Sequence, residues 1–182
     1  RRQASGHGAA EALAGFVDRL NIPVAHTYMG KGSLDYRDPH ALATVGLLRP
    51  GADLAAAPQL AAADLIITVG YDLVEWPPAL WNPRRDKAII HLDSTPAEID
   101  GHYLPAVEVV GEIGDALRAL AALCAARPHS WWAASRAGDT AAPGRAAAVV
   151  EYLRSYAHDA SLPMKPQRVI WDLRQALADD DI

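Results

Sequence analysis

Asp64-Leu65-Ile66-Ile67-Thr68-Val69-Gly70-Tyr71-Asp72 is the stretch that decides how this chain folds. A second run, Ala88-Ile89-Ile90-His91-Leu92-Asp93, repeats its character. Each is short, apolar and rich in β-branched residues, and each stops at a small or acidic residue. Runs apolar on both faces belong to strands buried on both faces, which is the pattern of a parallel sheet covered by helices. The segment between the two runs is long enough for the crossover that parallel neighbours require. In such sheets, ligands sit beyond the carboxyl ends of the strands. Gly70, Tyr71 and Asp72, then Asp93 and Ser94, are therefore the first candidates for a binding role.

Upstream of these runs, apolar residues recur at helical spacing through Ala9, Leu13, Phe16, Val17 and Leu20, so residues 5–20 are expected to be helical, with Ser5 as N-cap. Gly6-His7-Gly8 resembles half of a dinucleotide fingerprint, but no strand precedes it and Glu11 stands where the third glycine would, so it reads as a flexible helix entrance before it reads as a phosphate loop. Residues 21–27 read as a strand, its early proline tolerable at a strand start. The glycine-flanked loop Tyr28 to Ser33 follows, and Lys31 within it reads equally as a phosphate contact or a solvated turn residue. Asp38-Pro39-His40 reads as a turn into a short helix, and residues 44–51 as a short strand or loop. Asp53 is expected to cap a helix that runs to about Ala62.

Downstream, the prolines of 75–83 forbid a long helix, leaving an irregular crossover with one helical turn and tryptophans that pack the loop onto its own domain. Thr95-Pro96-Ala97-Glu98 has the form of a capping box, which predicts a short helix over 95–100. Residues 106–111 read as a further strand. Ile113, Ala116, Leu117, Leu120, Ala121 and Cys124 then form an amphipathic helix. A linker with a short helix is expected over 127–144, another apolar stripe over 146–157, and a loop over 159–165. Pro166 opens a last helix that is expected to run to the end of the chain.

Composition narrows the classes. Half of the 182 residues are hydrophobic, which suits a globular chain with a real core. A net charge of -5 with no basic stripe argues against a nucleic-acid partner. The single cysteine, Cys124, excludes a disulfide framework and reads as a helix core residue. No apolar run is long enough to span a membrane. The expectation is a soluble, cytoplasmic protein. Its abrupt start at Arg1 and its close at Asp179 to Ile182 read as the cut ends of a longer one. Catalytic motifs are absent: there is no G-x-S-x-G elbow, H-E-x-x-H pair or Walker loop. His26 and His91 alone lie within strands, where a hydrogen-bonded core histidine is expected. Asp93 reads equally as an acceptor of ribose hydroxyls or as the cap of the following turn.

Three strings together carry a family resemblance. They are Asn21-Ile22-Pro23-Val24 with Thr27-Tyr28-Met29-Gly30-Lys31-Gly32, the run Ala63 to Asp72, and Ile89 to Asp93 continued by Pro96-Ala97-Glu98-Ile99-Asp100, Tyr103-Leu104-Pro105 and Val109 to Ile113. They resemble the central domain of thiamine-diphosphate-dependent enzymes, acetolactate synthase above all. Val69-Gly70-Tyr71-Asp72 with Trp81-Asn82 resembles the catabolic, flavin-independent branch. The tail Leu162 to Val169 resembles the entry to the C-terminal, diphosphate-binding domain of the same enzymes.

The resemblance implies an α/β fold: a three-layer, Rossmann-like parallel sheet flanked by helices, of the DHS-like NAD/FAD-binding kind, with a C-terminal helical linker. It implies a central domain over 1–126, a linker over 127–161 and the truncated start of the next domain over 162–182. It also implies a parent that is a homodimer or homotetramer and acts on pyruvate or other 2-keto acids. The parent's thiamine diphosphate and magnesium would be held by domains outside this chain, so this piece is expected to lack catalytic and metal-binding residues. In flavin-bearing relatives the matching positions hold FAD. Here they are Thr27, Tyr28 and Met29; Gly46, Leu47 and Leu48; Gly70 and Asp72; Asp93 and Ser94; and Glu112 and Ile113. Asp72 stands where those relatives carry an arginine, which sets a repulsive charge against the flavin's pyrophosphate. FAD is therefore expected to bind weakly or not at all. The other readings are an oxalyl-CoA decarboxylase, benzoylformate decarboxylase or glyoxylate carboligase type of central domain, or a nucleotide-binding or structural module without catalysis.

Overall fold

A computed structural model describes residues 7–35, 37–46, 57–126 and 154–178. The chain divides into two compact units, Arg1–Ala142 and Pro143–Ile182. The first unit contains helix α1 (His7–Leu20), strands β1 (Val24–His26) and β2 (Ala41–Thr44), helix α2 (Ala57–Ala62) and strand β3 (Leu65–Val69). The short helix α3 (Pro78–Trp81), strands β4 (Ala88–Asp93) and β5 (Val107–Val110), and helix α4 (Ile113–Ala125) follow among its described residues.

Every ladder among the described residues is parallel. β3 pairs with β4 from Leu65↔Ala88 to Val69↔Leu92, and β4 pairs with β5 from Ile90↔Val107 to Asp93↔Val110. β1 pairs with β2 across a register shift between Val24 and His26. The expected row of strands is thus present as two hydrogen-bonded ladders, of two and three strands. β1 is only three residues long, it follows Pro23, which has no N–H to donate, and its register slips, so its ladder ends early.

Side-chain alternation explains how the strands are covered. Ile67, Ile90, Leu92 and Val109 meet α1 and α4 in one apolar cluster, with Leu13, Phe16, Val17, Ile113 and Leu117. Ile66 and Ile89 point the other way, into a cluster with Leu42, Val45, Trp76, Trp81 and Tyr103. Helices on one face and the α3 crossover on the other give the three-layer α/β arrangement. Leu92, in the central strand, is 0% exposed. β5 lies at the edge of its ladder, and Val107 and Val110 are exposed. No described helix is long and apolar enough to cross a membrane.

Two local expectations fail for tertiary reasons. Residues 95–100 form no helix. The Thr95 N–H donates to Asp93 Oδ1 and the Ala97 N–H to Glu108 Oε2, both at 3.2 Å, and Asp100 exchanges backbone bonds with Tyr103. These bonds pin the backbone extended, and the first takes the Thr95 N–H that a capping box would have given to Glu98. Asp38-Pro39-His40 turns into strand β2 instead of a helix, because the His40 carbonyl accepts from Val24 N–H at 2.8 Å and draws the chain alongside β1.

In the second unit, helix α5 (Pro166–Ala176) opens at the expected proline. It stops before the end of the chain, with Leu177 extended. Ser5, Asp53, the linker over 127–144 and the apolar stripe as far as residue 153 lie outside the described residues.

Candidate functional site

All five described strands of the first unit lead into segments that hold the residues singled out from the sequence. After β1, Thr27, Tyr28 and Met29 make a tight turn, with Gly30 N–H on the Thr27 carbonyl at 3.1 Å. Tyr28 and Met29 are 68% and 59% exposed. After β2, Gly46 has a φ of +84°, and a Cβ there would stand 2.5 Å from the Glu75 carbonyl oxygen. Leu47 and Leu48 lie outside the described residues. After β5, the Glu112 carboxylate caps α4 by accepting the Asp115 N–H at 2.7 Å. Ile113 is 4% exposed and belongs to the core.

Between these, the ends of β3 and β4 form a small cleft of about 60 Å³. Gly70, Asp72, His91, Asp93, Ser94 and Glu98 line it. The structure therefore gathers Gly70, Asp72, Asp93 and Ser94 into one place. Thr27, Tyr28, Met29, Gly46, Glu112 and Ile113 do not line that cleft.

Local bonds explain its shape. Gly70, with a φ of +60°, turns the chain out of β3 while its N–H still reaches the Leu92 carbonyl at 2.9 Å. Asp72 Oδ1 accepts the Val74 N–H at 3.0 Å. Asp93 Oδ1 accepts from the Ser94 hydroxyl and the Thr95 N–H, both at 3.2 Å, so one oxygen of this carboxylate caps its own turn. Asp72, Asp93 and Glu98 bring three carboxylates to the cleft, and no described lysine or arginine lines it.

The floor under the cleft is aromatic. The Tyr71 hydroxyl donates to the Trp76 carbonyl and accepts from Trp81 Nε1 at 3.0 Å. Burial pushes the Tyr71 phenol well above its ordinary value. Both tryptophans are buried in their own domain, as their positions in the proline-rich crossover suggested. Tyr103 is fully buried and touches Thr68 and His91. Burial pushes its phenol up to about 12, a donor bond from Thr68 opposes that rise, and the charges of Asp93 and Glu108 add to it. His91 is thus the hydrogen-bonded core histidine that its place in a strand suggested. His26 is held below the ordinary imidazole value, first by burial. The part played by Tyr103 escaped the sequence. It comes from a loop and meets partners on two strands far away along the chain, which no local pattern records.

Among the described residues, no group of three His, Cys, Asp or Glu side chains could hold a metal ion. The family described as "Thiamine pyrophosphate enzyme, central domain" matches residues 2–120. Acetolactate synthase of Bacillus subtilis (strain 168) is 38% identical over 109 residues, 58% of this chain and 18% of that protein. Catabolic acetolactate synthase of Raoultella terrigena is 44% identical over 62 residues, 34% of this chain and 11% of that protein. A probable 2-ketoarginine decarboxylase of Pseudomonas aeruginosa is 32% identical over 117 residues, 62% of this chain and 19% of that protein. The chain spans less than a fifth of the length of each of these relatives.

Proposed function

We propose, from the premise that this chain belongs to the family of thiamine pyrophosphate enzyme central domains, that it is the scaffold piece of an acetolactate-synthase-like carboligase acting on pyruvate or another 2-keto acid. The match over residues 2–120 carries this reading, and the parallel strands with their shared carboxyl rim support it. Residues 1–126 are the central domain, 127–161 a helical linker and 162–182 the start of the diphosphate-binding domain. The whole protein is a cytoplasmic homodimer or homotetramer with no nucleic-acid or membrane partner. Thiamine diphosphate supplies the carbanion chemistry when bound. It and its magnesium belong to the flanking domains, while this piece holds the rim in place. The chain supplied with pyruvate, thiamine diphosphate and magnesium is expected to form no acetolactate, and the same chain within its whole protein is expected to form it. Acetolactate from the isolated chain would overturn the scaffold role.

The cleft does not fit a flavin. Three carboxylates line it, which would repel a diphosphate, and no described lysine or arginine lines it. FAD titration should therefore give no sub-micromolar binding. Asp72→Asn keeps an acceptor for the Val74 N–H and removes the charge, while Asp72→Arg adds the opposite one. Affinity for FAD is expected to rise in that order, by about tenfold or more for the arginine, since one unit charge at about 8 Å is worth about 2 kcal/mol in a partly solvated site. Equal affinities in all three proteins would show that charge does not decide the matter.

The match to a probable 2-ketoarginine decarboxylase favours a second reading, in which the whole protein decarboxylates a 2-keto acid without joining it to another. The product formed by the whole protein, a ligated hydroxy-keto acid or a free aldehyde, separates the two.

A further inference from the structure

Beneath the cleft, three polar side chains form a continuous chain inside the second apolar cluster. His91 Nδ1 lies 2.7 Å from the Tyr103 hydroxyl, which lies 2.6 Å from Thr68 Oγ1. Thr68 Oγ1 in turn lies 3.3 Å from the Ile90 carbonyl, and at the other end His91 Nε2 lies 3.2 Å from the Thr95 carbonyl. Tyr103 is 0% exposed, His91 2% and Thr68 8%. Both ends of the chain are backbone carbonyls, which only accept.

That arrangement can be filled with hydrogens in two ways. With a neutral ring, Nε2–H donates to the Thr95 carbonyl, the Tyr103 hydroxyl donates to Nδ1, and the Thr68 hydroxyl donates to the Tyr103 oxygen. With one more proton, Nδ1–H donates to Tyr103, Tyr103 donates to Thr68, and Thr68 donates to the Ile90 carbonyl. Neither filling leaves a buried N–H or O–H without an acceptor, which is what burial demands. The proton comes from solvent, the one new bond is Nδ1–H, and the two hydroxyl hydrogens only rotate.

We propose that Thr68, Tyr103 and His91 form a reversible relay that lets the imidazole take up a proton within the folded chain, adding a positive charge to a cleft otherwise lined by carboxylates. The surroundings favour this. Glu108 on β5 and Thr68 on β3 are the register partners of His91 and so share its face of the sheet. Asp93 follows on β4, Asp72 and Tyr71 come from the segment after β3, and Glu98, Asp100 and Tyr103 from the segment after β4. The acids among these are all negative, and the His102 ring, 3.6 Å from Asp100 in the segment after β4, is the one titratable cation beside them among the described residues of that segment. Acid would then lower the net negative charge of the cleft by one. The two hydrogen fillings do not depend on which reaction the whole protein performs.

Nitrogen NMR of the His91 ring in the full chain, followed from about pH 8 to about pH 4 across the ordinary imidazole range, tests it. The ring is expected to carry hydrogen on Nε2 alone at the neutral end and on both nitrogens at the acid end, with native backbone signals retained throughout. Thr68→Val keeps shape and removes an acceptor that only the protonated filling needs. It should leave the neutral tautomer unchanged and lower the midpoint by about one pH unit, a tenfold loss of proton affinity. Thr68→Ser should restore the midpoint, and Tyr103→Phe should lower it as Thr68→Val does. Three results would overturn the relay: hydrogen on Nδ1 at the neutral end, midpoints equal in the wild type and Thr68→Val, or unfolding before the second proton arrives. Should Thr68→Val fail to fold, Thr68→Ala, which removes the same acceptor, decides the question in the same way.

Discussion

Leu117→Ala is expected to destabilise the first unit by about 2–5 kcal/mol, the range for deleting a buried leucine side chain. Leu117 is 0% exposed and sits on the face of α4 that packs against Leu13, Phe16 and Val17 of α1. A close-packed site of this kind cannot collapse fully around the missing atoms, so a cavity remains. Whole domains keep only about 5–15 kcal/mol in hand, so the loss is a large share of the total. Urea unfolding followed by helix ellipticity measures it. A loss under about 1 kcal/mol would mean that α1 and α4 do not share the packed core described here, since isosteric swaps alone cost as much.

Gly46→Ala comes next, at about 2–5 kcal/mol. Two causes add. A left-handed backbone costs an L-residue about 1–2 kcal/mol, and the φ of Gly46 is +84°. Overpacking a tight site typically costs about 1–3 kcal/mol more, and the new Cβ would stand 2.5 Å from the Glu75 carbonyl and 3.2 Å from Trp76 Cβ. Gly32 separates the causes, because its φ is +91° and nothing lies within 4 Å of its Cβ position. Gly32→Ala should therefore show the backbone cost alone. Equal losses at the two glycines in urea unfolding would remove the collision from the account.

These positions also show what could be read in the sequence. The runs 64–72 and 88–93 announced β3 and β4 because a strand buried on both faces has little choice but β-branched and aliphatic residues. The stripes in α1 and α4 were legible for a related reason, since one face of each meets the core. Thr95 to Glu98 misled because a capping box is a local preference, and the carboxylates of Asp93 and Glu108 outbid it from outside the segment. The strand-end rule located the cleft through Gly70, Asp72, Asp93 and Ser94. It could not show that Ile113 faces inward, nor that Glu112 is occupied in capping its own helix. His91 was legible as a core histidine and Tyr103 was not, because the hydroxyl that completes the chain arrives from a loop.

The rings of Tyr71, Trp76, Trp81 and Tyr103 stand 5.3–6.2 Å apart at fixed, unequal angles. Chromophores locked so closely in a chiral array couple their transition dipoles, so this domain should carry its own exciton-split near-ultraviolet dichroism. The floor of the cleft thereby becomes an intrinsic optical gauge, able to register a small molecule settling above it with no label attached.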